Sequence, residues 1–255
     1  VTDSTPRADA DIARLIATEA ASRLLEIRAE NPGVPGRELK DLGDQGAQAL
    51  IAARLAELAP GDAVLSEEAA DSAARLGAPR VWIIDPLDGT REFSEGRDDW
   101  AVHVALVENG ELTLGAVALG GPDAVLVSTD VAAEAPLGDP IRIAVSRSRA
   151  PKIVEAVAAA TDADLVPMGS AGVKICAVVR GEADAYVHGG GQYEWDSAAP
   201  IAIARAAGLY TSRLDGSELV YNQPNPYLPD LVVCRPEIRD SVMDAIGAAL
   251  ASPSE

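Results

Sequence analysis

The chain has 255 residues, 48% hydrophobic but only 4% aromatic, and a formal net charge of −19 at pH 7. That length holds one large domain or two modest lobes around an aliphatic core, which suits α/β or α+β packing better than an aromatic-rich β-sandwich. So anionic a surface repels nucleic-acid polymers and anionic lipid, and a small anionic substrate would need a local positive centre such as bound metal.

In chain order, Ile12, Leu15, Ile16, Ala20, Leu24 and Ile27 recur at helical spacing and predict an amphipathic helix from Asp9 to Glu30. Asn31-Pro32-Gly33 ends it, and Pro35-Gly36 continues the break. A second helix is expected after Asp44, with a stripe of Ala47, Leu50, Ile51, Arg54, Leu55 and Leu58, stopped by Pro60-Gly61. Ala63-Val64-Leu65 reads as a short strand that delivers Ser66-Glu67-Glu68. Val81 to Ile84 reads as a strand covered on both faces, stopped by Pro86 and Gly89. Strands follow over 100–107, 112–119 and 124–128, the first two joined by the Asn109-Gly110 hairpin signal. Residues 132–140 form the best linker candidate, so the expected lobes are 1–138 and 139–255. Beyond the linker, strands at 141–145, 164–168 and 183–187 alternate with helices over 151–160, from Ala171, and over 196–207, which implies an α/β lobe.

Cys176 and Cys234 lack metal-like or disulfide-framework spacing and are expected to be buried free thiols. The first residues carry Asp3, Asp9 and Asp11 rather than an apolar stretch, so no signal peptide is expected, and no apolar run reaches the ~18 residues of a membrane span. The expected compartment is the cytoplasm.

Four clusters could carry chemistry. Asp85-Pro86-Leu87-Asp88-Gly89-Thr90 presents two carboxylates, a carbonyl between them, and a glycine that lets backbone approach an anion. Hard cations such as Mg²⁺ take oxygen ligands and share their sites with phosphate. Taken alone, the same residues also suit a surface turn. Glu194-Trp195-Asp196 precedes a helix, where Asp196 is either an N-cap or a metal ligand. Asp41 and Asp44 stand at the head of the second helix, where Asp44 could cap it or orient a water. Gly169-Ser170-Ala171-Gly172-Val173-Lys174 is a small-residue turn entering a helix, able to hold an anion with Lys174 adding charge. His103, inside a strand, reads as a packed, hydrogen-bonded residue rather than a base.

Ser66-Glu67-Glu68, Trp82-Ile83-Ile84-Asp85-Pro86-Leu87-Asp88-Gly89-Thr90 and Trp195-Asp196-Ser197-Ala198-Ala199, in this order, resemble the inositol monophosphatase superfamily of Mg²⁺-dependent, lithium-sensitive phosphatases. The resemblance spans roughly 9–250 and implies a layered α/β/α/β/α sandwich. It implies Glu67, Asp85, the Leu87 carbonyl, Asp88 and Asp196 as metal ligands for about two or three Mg²⁺ per site. Asp44 and Thr90 would orient the nucleophilic water, although Gly43 stands where the family usually has Thr. Thr90-Arg91-Glu92-Phe93 and Ser146-Arg147-Ser148 resemble the CysQ-type branch, which removes the 3′-phosphate of 3′-phosphoadenosine 5′-phosphate in sulfur assimilation. Arg149 replaces that branch's His, and Asp184 to Asp196 is similar to actinobacterial members. The implied substrate contacts are Glu67, Leu87, Asp88, Gly89, Thr90, Arg149, Ser170, Lys174 and Asp196. A homodimer is the family's habit. Inositol phosphates and fructose 1,6-bisphosphate remain alternative substrates, and an inactive nucleotide-binding module is the alternative of a different class. The Asp-x-x-Asp spacing differs from the Asp-x-Asp of haloacid-dehalogenase phosphatases, so no phospho-enzyme is expected.

Overall fold

The computed structural model describes residues 5–131, 136–148 and 150–251. Helix α1 (Thr5–Glu30) buries Ile16, Ala20, Leu24 and Ile27, whereas Leu15, counted in the expected stripe, faces solvent. Helix α2 (Gly36–Leu58) starts eight residues before Asp44, not after it. Gly36 and Gly43 hide its first turns, since each Gly costs a helix interior about 1 kcal/mol against Ala. Packing explains Gly43 and the later Gly46. A Cβ at Gly46 would stand 2.3 Å from Ile27 Cδ1, and one at Gly43 would stand 3.0 Å from Leu87 Cδ2 and 3.1 Å from Phe93 Cε1. The glycines let α2 lie close against α1 and against Leu87 and Phe93.

The first sheet has the order β1 (Ala63–Ser66), β2 (Arg80–Asp88), β3 (Ala101–Glu108), β4 (Glu111–Leu119), β5 (Val125–Val127). β1 runs parallel to β2, and the other neighbours are antiparallel. Asn109 and Gly110 both have positive φ, 51° and 88°, as the expected two-residue hairpin requires. Trp82 and Ile84 of β2 pack under α1 and α2, while Val81 and Ile83 face the opposite core, so the strand is covered on both faces. A short helix, α3 (Thr90–Ser94), follows β2.

The second half contributes β6 (Arg142–Ser146), α4 (Lys152–Thr161), β7 (Asp164–Met168), α5 (Ala171–Val179), β8 (Ala185–Tyr193), α6 (Ala198–Ala206), β9 (Tyr210–Ser212), β10 (Tyr227–Cys234) and α7 (Arg239–Ala251). Its sheet has the order β7-β6-β8-β10-β9, with β6 parallel to β7 and β8, and β10 antiparallel to β8 and β9. The last two strands and α7 carry weak signals. Pro229 and Asp230 interrupt β10's apolar run, and a register shift between Leu228 and Asp230 accommodates them.

The layers follow from the buried clusters. α1 and α2 cover one face of the first sheet. Residues of α5 and α6 fill the space between the two sheets. α4 and α7 cover the far face of the second sheet. This is the five-layered sandwich expected. Part of the expected linker, 132–135, lies outside the described residues, as does Arg149. Cys176 and Cys234 are buried free thiols, each pushed up to about 12 by burial. Among the described residues no helix is long and apolar enough to cross a membrane.

Candidate active site

Pro86 does not end β2. Asp85 pairs with His103 and Asp88 with Ala101, so three steps on β2 oppose two on β3. This is a β-bulge, and Pro, lacking an N–H, is tolerated there. Residues three apart in a regular strand face opposite sides. The extra residue turns Asp88 to the side of Asp85. The chain leaves the strand through Gly89 at φ +92°, and Thr90 opens α3.

Asp85 is fully buried. Its Oδ1 accepts the Leu87 N–H at 3.0 Å, while Oδ2 is buried with no donor. Burial, then the charges of Asp88, Glu67 and Asp196, hold this carboxyl well above its ordinary value.

Asp88 is gripped by the turn entering α5. The Ser170 hydroxyl and the Gly172 N–H (2.7 Å) donate to Oδ2, and the Ala171 N–H donates to Oδ1 at 3.3 Å. Ser170 Oγ also accepts from Val173 N at 3.1 Å, capping α5. Ser170 adopts φ +46° and ψ 144°, a conformation costing a non-glycine residue on the order of 1–3 kcal/mol. His103, fully buried behind the pair, donates from Nδ1 to the Trp195 carbonyl at 3.0 Å and brings Nε2 to 3.4 Å from Asp88 Oδ2. Burial holds its imidazole below the ordinary value, against the opposing pull of Asp88. It is packed, as the strand position suggested.

Gly172 makes this grip possible, because a Cβ there would stand 1.9 Å from His103 Nε2. Gly172→Ala is therefore expected to push the turn off Asp88. With Asp88 as the metal ligand expected from the sequence, activity should fall about tenfold to a hundredfold, the loss typical of disturbed support to such a ligand. Steady-state rates at rising Mg²⁺ check this, and wild-type rates in the variant would refute the role of the grip.

Asp196 comes from the other half of the chain. It closes a 3₁₀ turn (Glu194–Asp196), its Oδ2 accepting the Tyr193 N–H at 2.6 Å. It is not the cap of α6, which begins at Ala198 behind Ser197. One oxygen each of Asp85, Asp88 and Asp196 lie within 4.8 Å of one another. Burial first, then Asp88, raise the Asp196 carboxyl to about 7. Glu67, just beyond β1, is raised to about 7 by partial desolvation and by Glu68, Asp44 and Asp88. Asp44 lies more than two turns inside α2, which excludes a capping role; burial, then Glu68 and Asp41, raise it to about 7. The carboxylates at 67, 85, 88 and 196 thus act on one another, and Asp44 joins them through Glu67. Such a set, with a buried oxygen lacking any donor, fits a hard divalent cation, which takes carboxylate and carbonyl oxygens.

The fold and site have counterparts. Residues 7–245 match the model of the inositol monophosphatase family. The chain belongs to that family. It is 51% identical over 241 residues to a 3′-phosphoadenosine 5′-phosphate phosphatase of Mycobacterium bovis, covering 91% of this chain and 90% of that protein. It is 31% identical over 199 residues to the 3′(2′),5′-bisphosphate nucleotidase CysQ of Escherichia coli K12, covering 72% and 80%. The crystal structure of CysQ from Bacteroides thetaiotaomicron superimposes with a TM-score of 0.78 at 28% identity, over 89% of this chain and 97% of that one.

Other residues singled out in this family member have definite places. Lys174 is buried, its Nζ donating to the carbonyls of Gly169 (3.0 Å) and Ser170 and standing 5.3 Å above the Tyr186 ring. Ser170 is engaged with Asp88 and Val173. Phe93 is core, edge-on to Trp100 at 5.6 Å. Glu92 accepts from Arg147 at 2.9 Å, and Arg147 also bonds Glu95 at 2.8 Å. The two CysQ-like motifs are therefore tied together in space, a contact no spacing announces because its partners are 55 residues apart. The reading of the sequence named Gly172 within an anion-holding turn; the anion that the turn holds is the Asp88 carboxylate.

Proposed function

We propose that this protein removes the 3′-phosphate of 3′-phosphoadenosine 5′-phosphate, giving AMP and inorganic phosphate, with Mg²⁺ as cofactor. The observation that carries the reading is the convergence of one oxygen each of Asp85, Asp88 and Asp196 within 4.8 Å, with Asp85 Oδ2 buried and lacking a hydrogen-bond donor. The names borne by its mycobacterial and enterobacterial relatives support the substrate.

Glu67, Asp85, the Leu87 carbonyl, Asp88 and Asp196 would hold about two or three Mg²⁺, whose chemistry is Lewis-acid stabilisation of charge on the attacking and leaving oxygens. The protein's own groups do the positioning. The α5 turn and the β2 bulge fix the two motif aspartates before substrate arrives, so little reorganisation is needed at the moment of reaction. Gly89 brings bare backbone up to the phosphate. Asp44, rigid within α2, and Thr90, at the start of α3, orient the water for in-line attack; its oxygen joins phosphorus as the bond to O3′ breaks, and the departing O3′ takes a proton. Arg149 is assigned to the nucleotide, while Ser170 and Lys174 shape the wall beside it.

Mg²⁺-dependent phosphate release from 3′-phosphoadenosine 5′-phosphate, inositol 1-phosphate and fructose 1,6-bisphosphate tests the assignment. The expected result is the highest kcat/KM on the nucleotide. A higher value on either of the others would replace it.

A further inference from the structure

Arg75 is 1% exposed, in a 3₁₀ turn (Ala73–Gly77) on the connection from β1 to β2, between Glu67 and Asp85 in sequence. A buried guanidinium is stable only if its donors are matched. Nε and Nη2 make a two-pronged contact with Asp71 at 2.7 and 3.0 Å. Nη1 donates to Asn222 Oδ1 at 2.6 Å, and Nη2 donates to the Gln223 carbonyl at 2.9 Å. Arg75 thus joins the loop that follows Glu67 to a segment 147 residues away.

That segment is tied in turn to the turn of Asp196. The N–H groups of Asn222 and Gln223 (2.5 and 2.8 Å) both donate to the Glu194 carboxylate, which is buried. Glu194 N–H donates to the Pro226 carbonyl at 2.8 Å. Ser197 Oγ and Tyr221 OH share a further bond at 3.1 Å. Residues on both sides of Asp196 are therefore anchored to 221–226, and 222–223 are anchored to Arg75. Asn222 sits at φ +61°, held there by bonds on both sides.

We propose that Arg75 is a positioning residue of the metal site: its clasp on Asn222 and Gln223 sets the turn of Asp196 against the half of the chain that carries Glu67, Asp85 and Asp88. The inference rests on Asp196 being a metal ligand. A network that touches no ligand atom directly acts by holding the ligands at the spacing the ion needs; loss of a group bonded directly to a ligand typically costs about tenfold to a hundredfold in metal affinity, and this more distant support is expected at the low end of that range or below it.

Mn²⁺ titration by calorimetry, on the full chain without substrate, tests this apart from turnover. Arg75→Gln removes the fork. Asn222→Gly removes the acceptor of Arg75 Nη1 and the Nδ2 donor to the Arg75 carbonyl, and keeps the left-handed backbone, which glycine adopts freely. Arg75→Gln is expected to weaken Mn²⁺ binding about tenfold and Asn222→Gly about threefold, with the double variant no weaker than Arg75→Gln, because both cut one chain of bonds. If Arg75→Gln does not fold, Asn222→Gly decides. Asp196→Asn is the reference. If it weakens binding while both clasp variants bind like the wild type, the clasp is only structural and the proposal falls. If Asp196→Asn itself binds Mn²⁺ like the wild type, the ligand assignment falls first and takes the clasp with it.

Discussion

Asp88→Asn is expected to abolish turnover while leaving the metal-free protein as stable as before, or more so. The two halves of this expectation come from the same carboxylate. Asp88 takes N–H groups from Ala171 and Gly172 and the Ser170 hydroxyl, and still lies within 4.8 Å of Asp85 and Asp196 oxygens. An amide keeps the shape and one accepting oxygen, which the Gly172 N–H and Ser170 can retain. It loses the charge and the second oxygen. Several kcal/mol of charge stabilisation would go with the metal, and about 4 kcal/mol corresponds to about a thousandfold in rate. Meanwhile the charge of Asp88 is one cause of the raised carboxyls of Asp85, Glu67 and Asp196. Removing it relieves repulsion that only a cation otherwise relieves, so the metal-free melting temperature should hold or rise. Paired rate and melting measurements decide it: an active variant refutes the metal site, and a strongly destabilised one refutes the electrostatic account.

The second large effect is the dependence of Mg²⁺ stabilisation on pH. Asp44, Glu67 and Asp196 are each raised to about 7, and Asp85 is raised as well. Unfolded carboxyls titrate near 4. A carboxyl whose folded value lies above its unfolded one contributes stability that is complete below about 4 and is lost as pH rises through about 7. The metal-free protein should therefore lose stability between about pH 5 and pH 8 on account of this cluster. Mg²⁺ needs the ionised carboxylates, so its stabilisation must grow over the same interval. Ligand at about a hundred times its Kd adds about 2.7 kcal/mol, or roughly 5–10 °C for a chain of this size. The expected result is a shift of that order at pH 8, less than half of it at pH 5, and almost none at pH 8 in Asp88→Asn. Melting curves with Mg²⁺ and with a chelator measure it, and a shift equal at both pH values would exclude Glu67, Asp85 and Asp196 as the ligands.

Much of the candidate site was legible because its residues lie close in sequence. Asp85, Leu87 and Asp88 fall within four residues, and Asp196 follows a Trp at a motif spacing, so residue type and order suffice to single them out. The hairpin at Asn109-Gly110 was legible for the same reason, since two positive φ angles in succession demand such residues. Other parts were hidden by local signals that tertiary packing overrides. Gly36 and Gly43 concealed the first turns of α2, so Asp44 seemed to stand at a helix head when it lies inside the helix. Pro86 suggested a strand end where the strand bulges.

The sequence by itself determined the family, the layered architecture and the acidic residues, because these depend on periodicity, order and the kinds of oxygen offered. Only the tertiary structure decided how those residues work together. The bulge turns Asp88 beside Asp85, the α5 turn grips it across 82–84 residues of chain, and Arg75 reaches Asn222 to set the turn of Asp196. Contacts of that kind carry no periodic trace, since each partner is chosen by where the fold places it rather than by its neighbours along the chain.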